Sequence, residues 1–311
     1  MKLKKPKFWD YKKPNLISNL LLPISKIVET KSNYFKSKGE KIGNIKTICI
    51  GNIYLGGTGK TSFAIEIKKI LDKLNIKSCF IKKEYSNQAD EQKLLSKFGK
   101  LFINKSRLKA LKNADSENYQ IAILDDGLQD KSISYDLTFV CFNKKNFIGN
   151  GRIIPAGPLR EPLVNLENYR NVVFSGNDED NKNLEKILSQ NQSNLNFYDS
   201  KYELLNSREF DLKRKFIVFS GIGNHQTFIN MLKMNDVKII YDLEFSDHYN
   251  YQKKDIEKIL KLASENDAKI LTTEKDYLRL NDKLKLGINY TKINLKISNT
   301  EQLKRKLIEL I

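Results

Sequence analysis

Apolar and polar positions alternate along this chain with two different periods, and from Lys46 onward the periods take turns. Thr47 to Gly51 is a short continuous apolar run and predicts a strand; Lys60 to Leu74 places Phe63, Ile67, Ile70 and Leu74 at helical spacing. Lys77 to Ile81 and Lys100 to Ile103 read as strands, a polar helix follows, and Tyr119 to Leu124 and Asp136 to Phe142 are two more strands. Asn171 to Phe174 is another, followed by the polar run 176–181. Beyond that run the alternation resumes: strands over Lys215 to Ser220, Lys238 to Leu243 and Lys269 to Thr272, and helices over Gln226 to Met234 and Lys253 to Ala263. Glu301 to Leu310 predicts a terminal helix. Short apolar strands separated by helices imply an α/β fold with a mostly parallel sheet covered on both faces. The polar run is the expected boundary, dividing residues 45–175 from a second, smaller α/β domain over 176–311, whose last helix is free to return to the first. Residues 1–44 form a separate basic segment.

Composition sharpens this picture at the N-terminus. At 40% hydrophobic residues the chain is globular. Its net charge of +18 is partly a matter of bias, since only 8 of 55 basic residues are Arg. Distribution says more: residues 1–46 hold 12 Lys against 3 acids. The same segment carries Trp9, Tyr11 and the apolar stretch Leu16 to Ile24, which falls short of the roughly 20 apolar residues that cross a bilayer. It reads either as a short amphipathic helix lying on an anionic membrane through residues 1–28, or as an ordinary helix packed on the body behind it. The scattered cysteines Cys49, Cys79 and Cys141 form no metal-binding pair and fit a reducing compartment. A nucleic-acid partner is not expected, because no recognisable module accompanies the charge.

Four segments carry chemistry. Tyr54, Leu55, Gly56, Gly57, Thr58, Gly59, Lys60 and Thr61 lie between a strand and a helix, the context of a phosphate-binding loop, although Tyr54 stands where the general pattern has its first glycine. Backbone N–H groups and the helix N-terminus hold phosphate oxygens, Lys60 reaches the outer phosphates and Thr61 is a candidate Mg²⁺ ligand. Asp125 and Asp126 end a strongly apolar strand, as a magnesium-binding acid does in this class of nucleotide enzymes. The Gly/Pro-rich stretch from Gly149 to Pro162, with Arg152, Arg160 and Glu161, is either an anion-recognition loop, with Glu161 near the metal, or a structural connection. Asp247 and His248, followed by Tyr249 and Tyr251, make a polar cluster at a strand end that reads either as functional or as packing, while His225 reads as a helix-start residue.

Together these segments resemble the tetraacyldisaccharide 4'-kinase family, the lipid A 4'-kinases of Gram-negative bacteria. The blocks that carry the resemblance run in family order: Gly51-Asn52, Asp125-Asp126-Gly127-Leu128-Gln129, Gly149-Asn150-Gly151, Pro155 to Pro162, Phe219 to Gly223, Asp247-His248 and Thr272-Thr273-Glu274-Lys275-Asp276. The resemblance implies ATP and Mg²⁺ as cofactors and an acylated glucosamine disaccharide as acceptor. It also implies a peripheral place on the cytoplasmic face of the bacterial inner membrane, reached by the N-terminal helix; a monomer is expected. It makes Asp90 the catalytic base with His248 as partner, and sets Tyr85 and Gln129 beside the nucleotide. The chain departs from the family where Arg-Gly-Tyr would stand: it has Lys83-Glu84-Tyr85, and Asp90 follows after a shortened loop. Two other readings stay open, a GTPase or ligase-like enzyme of the same fold and a basic membrane- or nucleic-acid-binding protein. A guanine-reading Asn-Lys-x-Asp is missing, which favours ATP.

Overall fold

The computed structural model describes residues 5–34, 39–85, 88–177, 181–190 and 194–311. Residues 1–4 of the expected membrane-facing segment and 178–180 of the polar run lie outside them.

The chain opens with a 3-10 turn at Lys7–Asp10, then α1 (Leu16–Leu20) and α2 (Leu22–Tyr34). Asn15 caps α1 by accepting from the Ser18 N–H. These two helices turn small polar side chains inward. Ser18 and Ser25 are buried and donate to the carbonyls of Ala156 and Ile153, while Leu16, Ile17, Leu20, Ile24 and Ile27 are each at least 50% exposed. The segment is therefore attached to the body by these hydrogen bonds together with buried Trp9 and Val28 packed on the Tyr54 cluster, while these five apolar side chains face outward.

A βα alternation follows: β1 (Lys46–Gly51), α3 (Lys60–Lys73), β2 (Ser78–Lys83), α4 (Ala89–Ser96), β3 (Leu101–Asn104), α5 (Arg107–Ser116), β4 (Ile121–Asp125), β5 (Leu137–Asn143), β6 (Asn171–Ser175), α6 (Asn181–Ser189) and β7 (Asn196–Leu204). Next come β8 (Lys215–Ser220), α7 (His225–Met234), β9 (Ile239–Glu244), α8 (Lys253–Glu265), β10 (Ala268–Thr273), α9 (Glu274–Arg279), β11 (Ile288–Thr291), β12 (Ile293–Ile297) and α10 (Thr300–Ile308). Eight strands form one sheet in the order β12-β7-β6-β5-β1-β4-β2-β3, and four form a second in the order β11-β10-β8-β9. Every pairing is parallel except β12 with β7. The near-continuous burial of β1, β4 and β6 is what two covered faces require.

The change of sheet falls after Leu204 and not at the polar run 176–181. That run only links β6 to β7, which are hydrogen-bonded neighbours. The second sheet spans Lys215 to Thr291, after which β12 and α10 return to the first. Leu303 and Leu307 of α10 are fully buried in the core cluster that also holds Phe63, Ile67 and Leu71 of α3. In the large sheet β1 lies between β4 and β5, so strand order reverses at its carboxyl end, where open α/β sheets form a crevice. The phosphate loop occupies that position. Cys49, Cys79 and Cys141 are buried within β1, β2 and β5, and burial pushes the Cys79 thiol up to about 12.

Candidate active site

The loop after β1 is held open by its own residues and by the proline-rich stretch. The Asn52 amide donates to the carbonyls of Tyr54 (2.6 Å) and Gly56 (3.1 Å). Leu55 N–H donates to Pro158 O, and Arg160 N–H to Ile53 O. Gly59 caps α3 at φ 84°, a conformation costly for any residue with a Cβ. A Cβ on Gly59 would also stand 2.6 Å from the Tyr202 hydroxyl, and one on Gly57 would stand 3.0 Å from the backbone of Gly223. The second sheet's 221–224 loop thus lies directly on the phosphate loop.

Tyr54 contributes backbone and not side chain. Its ring is 1% exposed among Ile153 and Leu159, and its hydroxyl donates to Asp10 of the N-terminal segment (2.6 Å). Leu55 sits on the loop's rim, 39% exposed. Thr58 is buried, with its hydroxyl lacking a partner among the described residues.

Two acids end β4 and do different work. The Asp125 Oδ2 accepts from Lys82 Nζ (2.7 Å) and from Thr61 Oγ1 (3.4 Å), whereas its buried Oδ1 has no partner among the described residues. Asp126, with φ 61°, faces Lys60 Nζ (3.6 Å) and Arg160 Nη1 (3.2 Å). Burial would raise the Asp126 carboxyl, but Lys60 and Arg160 overcome it and hold it below the usual range.

Glu161, expected near the metal, is buried within a hydrogen-bonded cluster. Both its oxygens are taken by neutral donors: Gln129 on Oε1 (3.0 Å), and Asn165 (2.9 Å) and Tyr169 (3.0 Å) on Oε2. Gln129 also donates to Asn52 O (3.1 Å) and accepts from Arg160 (3.0 Å), so it braces the loop from behind. The first half of the same stretch serves another purpose. The Asn150 amide donates to Ala156 O (2.9 Å), and Arg152 donates to Ser18, anchoring the N-terminal segment. Tyr85 is 36% exposed beside Lys83, with its ring 5.8 Å from that ammonium.

Asp90, at the start of α4, is buried, and His248 reaches it from the second sheet. His248 Nδ1 lies 3.4 Å from Asp90 Oδ1, and Arg279 Nη2 donates to Oδ2 (2.6 Å). Burial would raise the Asp90 carboxyl; the hydrogen bond from His248 and the charges of Arg279 and Lys275 reverse this and hold it at about 2. Next to it, Glu91 takes Lys82 (2.7 Å) and Lys275 (2.8 Å). Burial pushes the Glu91 carboxyl up, and the two ammonium groups pull it well below its ordinary value. Lys275 Nζ also stands 3.4 Å from Thr61 Oγ1, which joins the carboxylate site to the phosphate loop.

The family model for tetraacyldisaccharide-1-P 4'-kinase matches residues 17–311 of this chain. A Pelagibacter ubique protein named tetraacyldisaccharide 4'-kinase is 54% identical over 316 residues, covering 100% of this chain and 99% of that protein. The chain belongs to the tetraacyldisaccharide 4'-kinase family. A Rickettsia canadensis relative of the same name is 31% identical, with 99% of this chain and 98% of the relative covered. The fold agrees with that of an Aquifex aeolicus LpxK solved in complex with ATP, at a TM-score of 0.70 and 24% identity over 95% of this chain and 99% of that one.

The loop and the strand-ending acids were read from their local pattern, and the Asp90–His248 pairing from the family resemblance, but the cations between them were not. Lys82, Lys275 and Arg279 were missed, as was Glu91. Lys275 stood inside a quoted block, and its place directly after the acid that starts a helix was the available signal. Lys82 ends an apolar run and is 1% exposed, which only the fold reveals.

Proposed function

We propose that this chain transfers the γ-phosphoryl group of ATP to the 4'-hydroxyl of a tetraacylated glucosamine disaccharide 1-phosphate, working as a peripheral protein on the cytoplasmic face of the bacterial inner membrane. The observation that carries this reading is the junction of two halves. The phosphate loop of the large sheet and the Asp90–His248 pair are linked by Lys275, within hydrogen-bonding range of Glu91 and close to Thr61.

Lys60, the Gly56–Gly59 backbone and the N-terminus of α3 bind and orient the triphosphate. Arg160 keeps Asp126 ionised beside Lys60, which fixes the position of that ammonium. Mg²⁺ fits one place: Thr61 and Asp125 converge there, and the buried Asp125 Oδ1 wants a partner. Two protein oxygens suffice, since this ion keeps several waters and phosphate oxygens. When bound, it neutralises charge on the outer phosphates. Glu161 braces Gln129 in this account and is not a ligand.

Asp90 accepts the proton of the acceptor hydroxyl, and His248 orients the carboxylate and shares that proton. A carboxylate held at about 2 is a weak base. Phosphoryl transfer through a loose transition state tolerates this, because the hydroxyl loses its proton late. Residues 45–175 hold the nucleotide, the second sheet brings the imidazole, and the N-terminal segment meets the lipid's membrane.

Labelled ATP and a panel of acylated glucosamine disaccharides test the assignment. Label is expected at the 4'-position of the tetraacylated 1-phosphate, with Lys60→Ala inactive and Asp90→Asn slowed by roughly a hundredfold or more with nucleotide affinity retained. Turnover of Lys60→Ala at the wild-type rate, or label only on an unrelated acceptor, overturns the reading.

A further inference from the structure

The guanidinium of Arg279 touches Asp90, the support of His248 and, with Nη2 3.4 Å from Nδ1, the His248 ring itself. Its Nη2 donates to Asp90 Oδ2 (2.6 Å), and its Nη1 donates to Asp276 Oδ1 (2.7 Å) and to Gly221 O (2.6 Å). The same Gly221 carbonyl accepts the backbone N–H of His248 (3.0 Å), a residue held at φ 54°. Gly221 is in turn fixed by its own N–H donating to Asp276 Oδ1 (3.0 Å), and the Tyr251 hydroxyl donates to that oxygen as well (2.8 Å). Thr273 fills Oδ2 of Asp276 (2.6 Å). The side chains of Arg279, Asp90 and Asp276 are 9%, 1% and 0% exposed.

We infer that Arg279 is a positioning residue for phosphoryl transfer, holding the Asp90 carboxylate and the His248 backbone in one fixed relation; this rests on reading Asp90 as the base. The contacts with Asp276 and Gly221 lie within the second sheet's own unit, whereas the contact with Asp90 crosses to α4. With Oδ2 occupied by Arg279, Oδ1 is left for His248 and the acceptor hydroxyl, so the carboxylate has one working orientation. A planar fork is needed to reach both sides, and an ammonium is not an equivalent.

The test measures kcat and the KM for MgATP in Arg279→Lys and in the paired variant Arg279→Gln/Asp276→Asn, which removes Arg279 together with Asp276 so that Asp276 is not left as an unpaired buried charge, while Asp90 keeps His248. Each is made with and without Asp90→Asn. In the Asp90 background kcat is expected to fall at least tenfold with KM within threefold, and the loss to shrink to less than threefold once Asp90 is Asn, as two residues acting as a unit require. Arg279→Lys keeps a cation in place and serves if the paired variant does not fold. Folded Arg279 variants within twofold of wild-type kcat, beside a crippled Asp90→Asn, overturn the inference and leave the base reading standing. So does a loss of equal size in both backgrounds. Asp90→Asn turning over at the wild-type rate overturns the base reading and the inference with it.

Discussion

Two carboxylates meet one ammonium at Lys82, which lies 2.7 Å from both Asp125 and Glu91 and is 1% exposed. Burial would lower the lysine's pKa, and the two acids raise it above the ordinary value instead. All three charges therefore stand or fall together, and removing one partner leaves buried charge uncompensated. Lys82→Met is expected to cost about 3–5 kcal/mol in urea unfolding. Lys82→Met/Glu91→Gln should cost less, since it removes one charge of each sign; a larger cost would show that the lysine stem, and not its charge, matters. Asp125 was legible in the sequence because an acid closing an apolar strand is conspicuous. Lys82 was not, because among 55 basic residues no single lysine stands out. Tyr54 misled for a related reason: its place in the loop pattern is real, but the side chain answers to Asp10, 44 residues away.

At the scale of elements, α9 has six residues, too few for a helical period to show, yet it delivers Lys275 and Arg279 four residues apart on one face. That face meets α4, where Glu91 and Asp90 receive them. Thr273 caps the helix by accepting from the Asp276 N–H, and Asp276 anchors it to Gly221. Lys275 is the end of this device nearest the phosphate loop. Lys275→Met is expected to weaken ATP at least tenfold more than ADP in equilibrium titrations, if the lysine 3.4 Å from Thr61 Oγ1 serves the outermost phosphate. Equal weakening of both nucleotides would assign the lysine to Glu91 alone. The long strands and helices were legible from their periods. The edge strand β12 was also within reach: Ile293-Asn294-Leu295-Lys296-Ile297 alternates, burying Leu295 and Ile297. Its partner β7 is a mixed, half-exposed run whose pattern is set by α10 and by the second sheet, and neither is local in sequence.

Across the whole molecule, the site is divided between two sheets, with phosphate-binding parts on one and the imidazole on the other. The N-terminal segment is fastened at the back of the same loop through Tyr54, Pro155 and Ala156. Its helices point Ser18 and Ser25 at the body and leave Leu16, Leu20, Ile24 and Ile27 in the open. With Ile17 these make five exposed aliphatic side chains in a lysine-rich segment, the chemistry of a membrane contact, each contributing up to about 1.5–3 kcal/mol on full burial. Deleting residues 1–28 is a poor test of that contact. It would also strip Tyr54 and Asn150 of partners and lower stability on its own account. Replacing Leu16, Leu20, Ile24 and Ile27 together by Ser removes only outward-facing surface. The variant is expected to keep the wild-type Tm and its turnover of detergent-dispersed substrate, while binding to anionic vesicles and turnover of bilayer-presented lipid fall at least tenfold. Unchanged vesicle binding would leave the lysines alone to make the contact, and raising the salt would then release the protein completely.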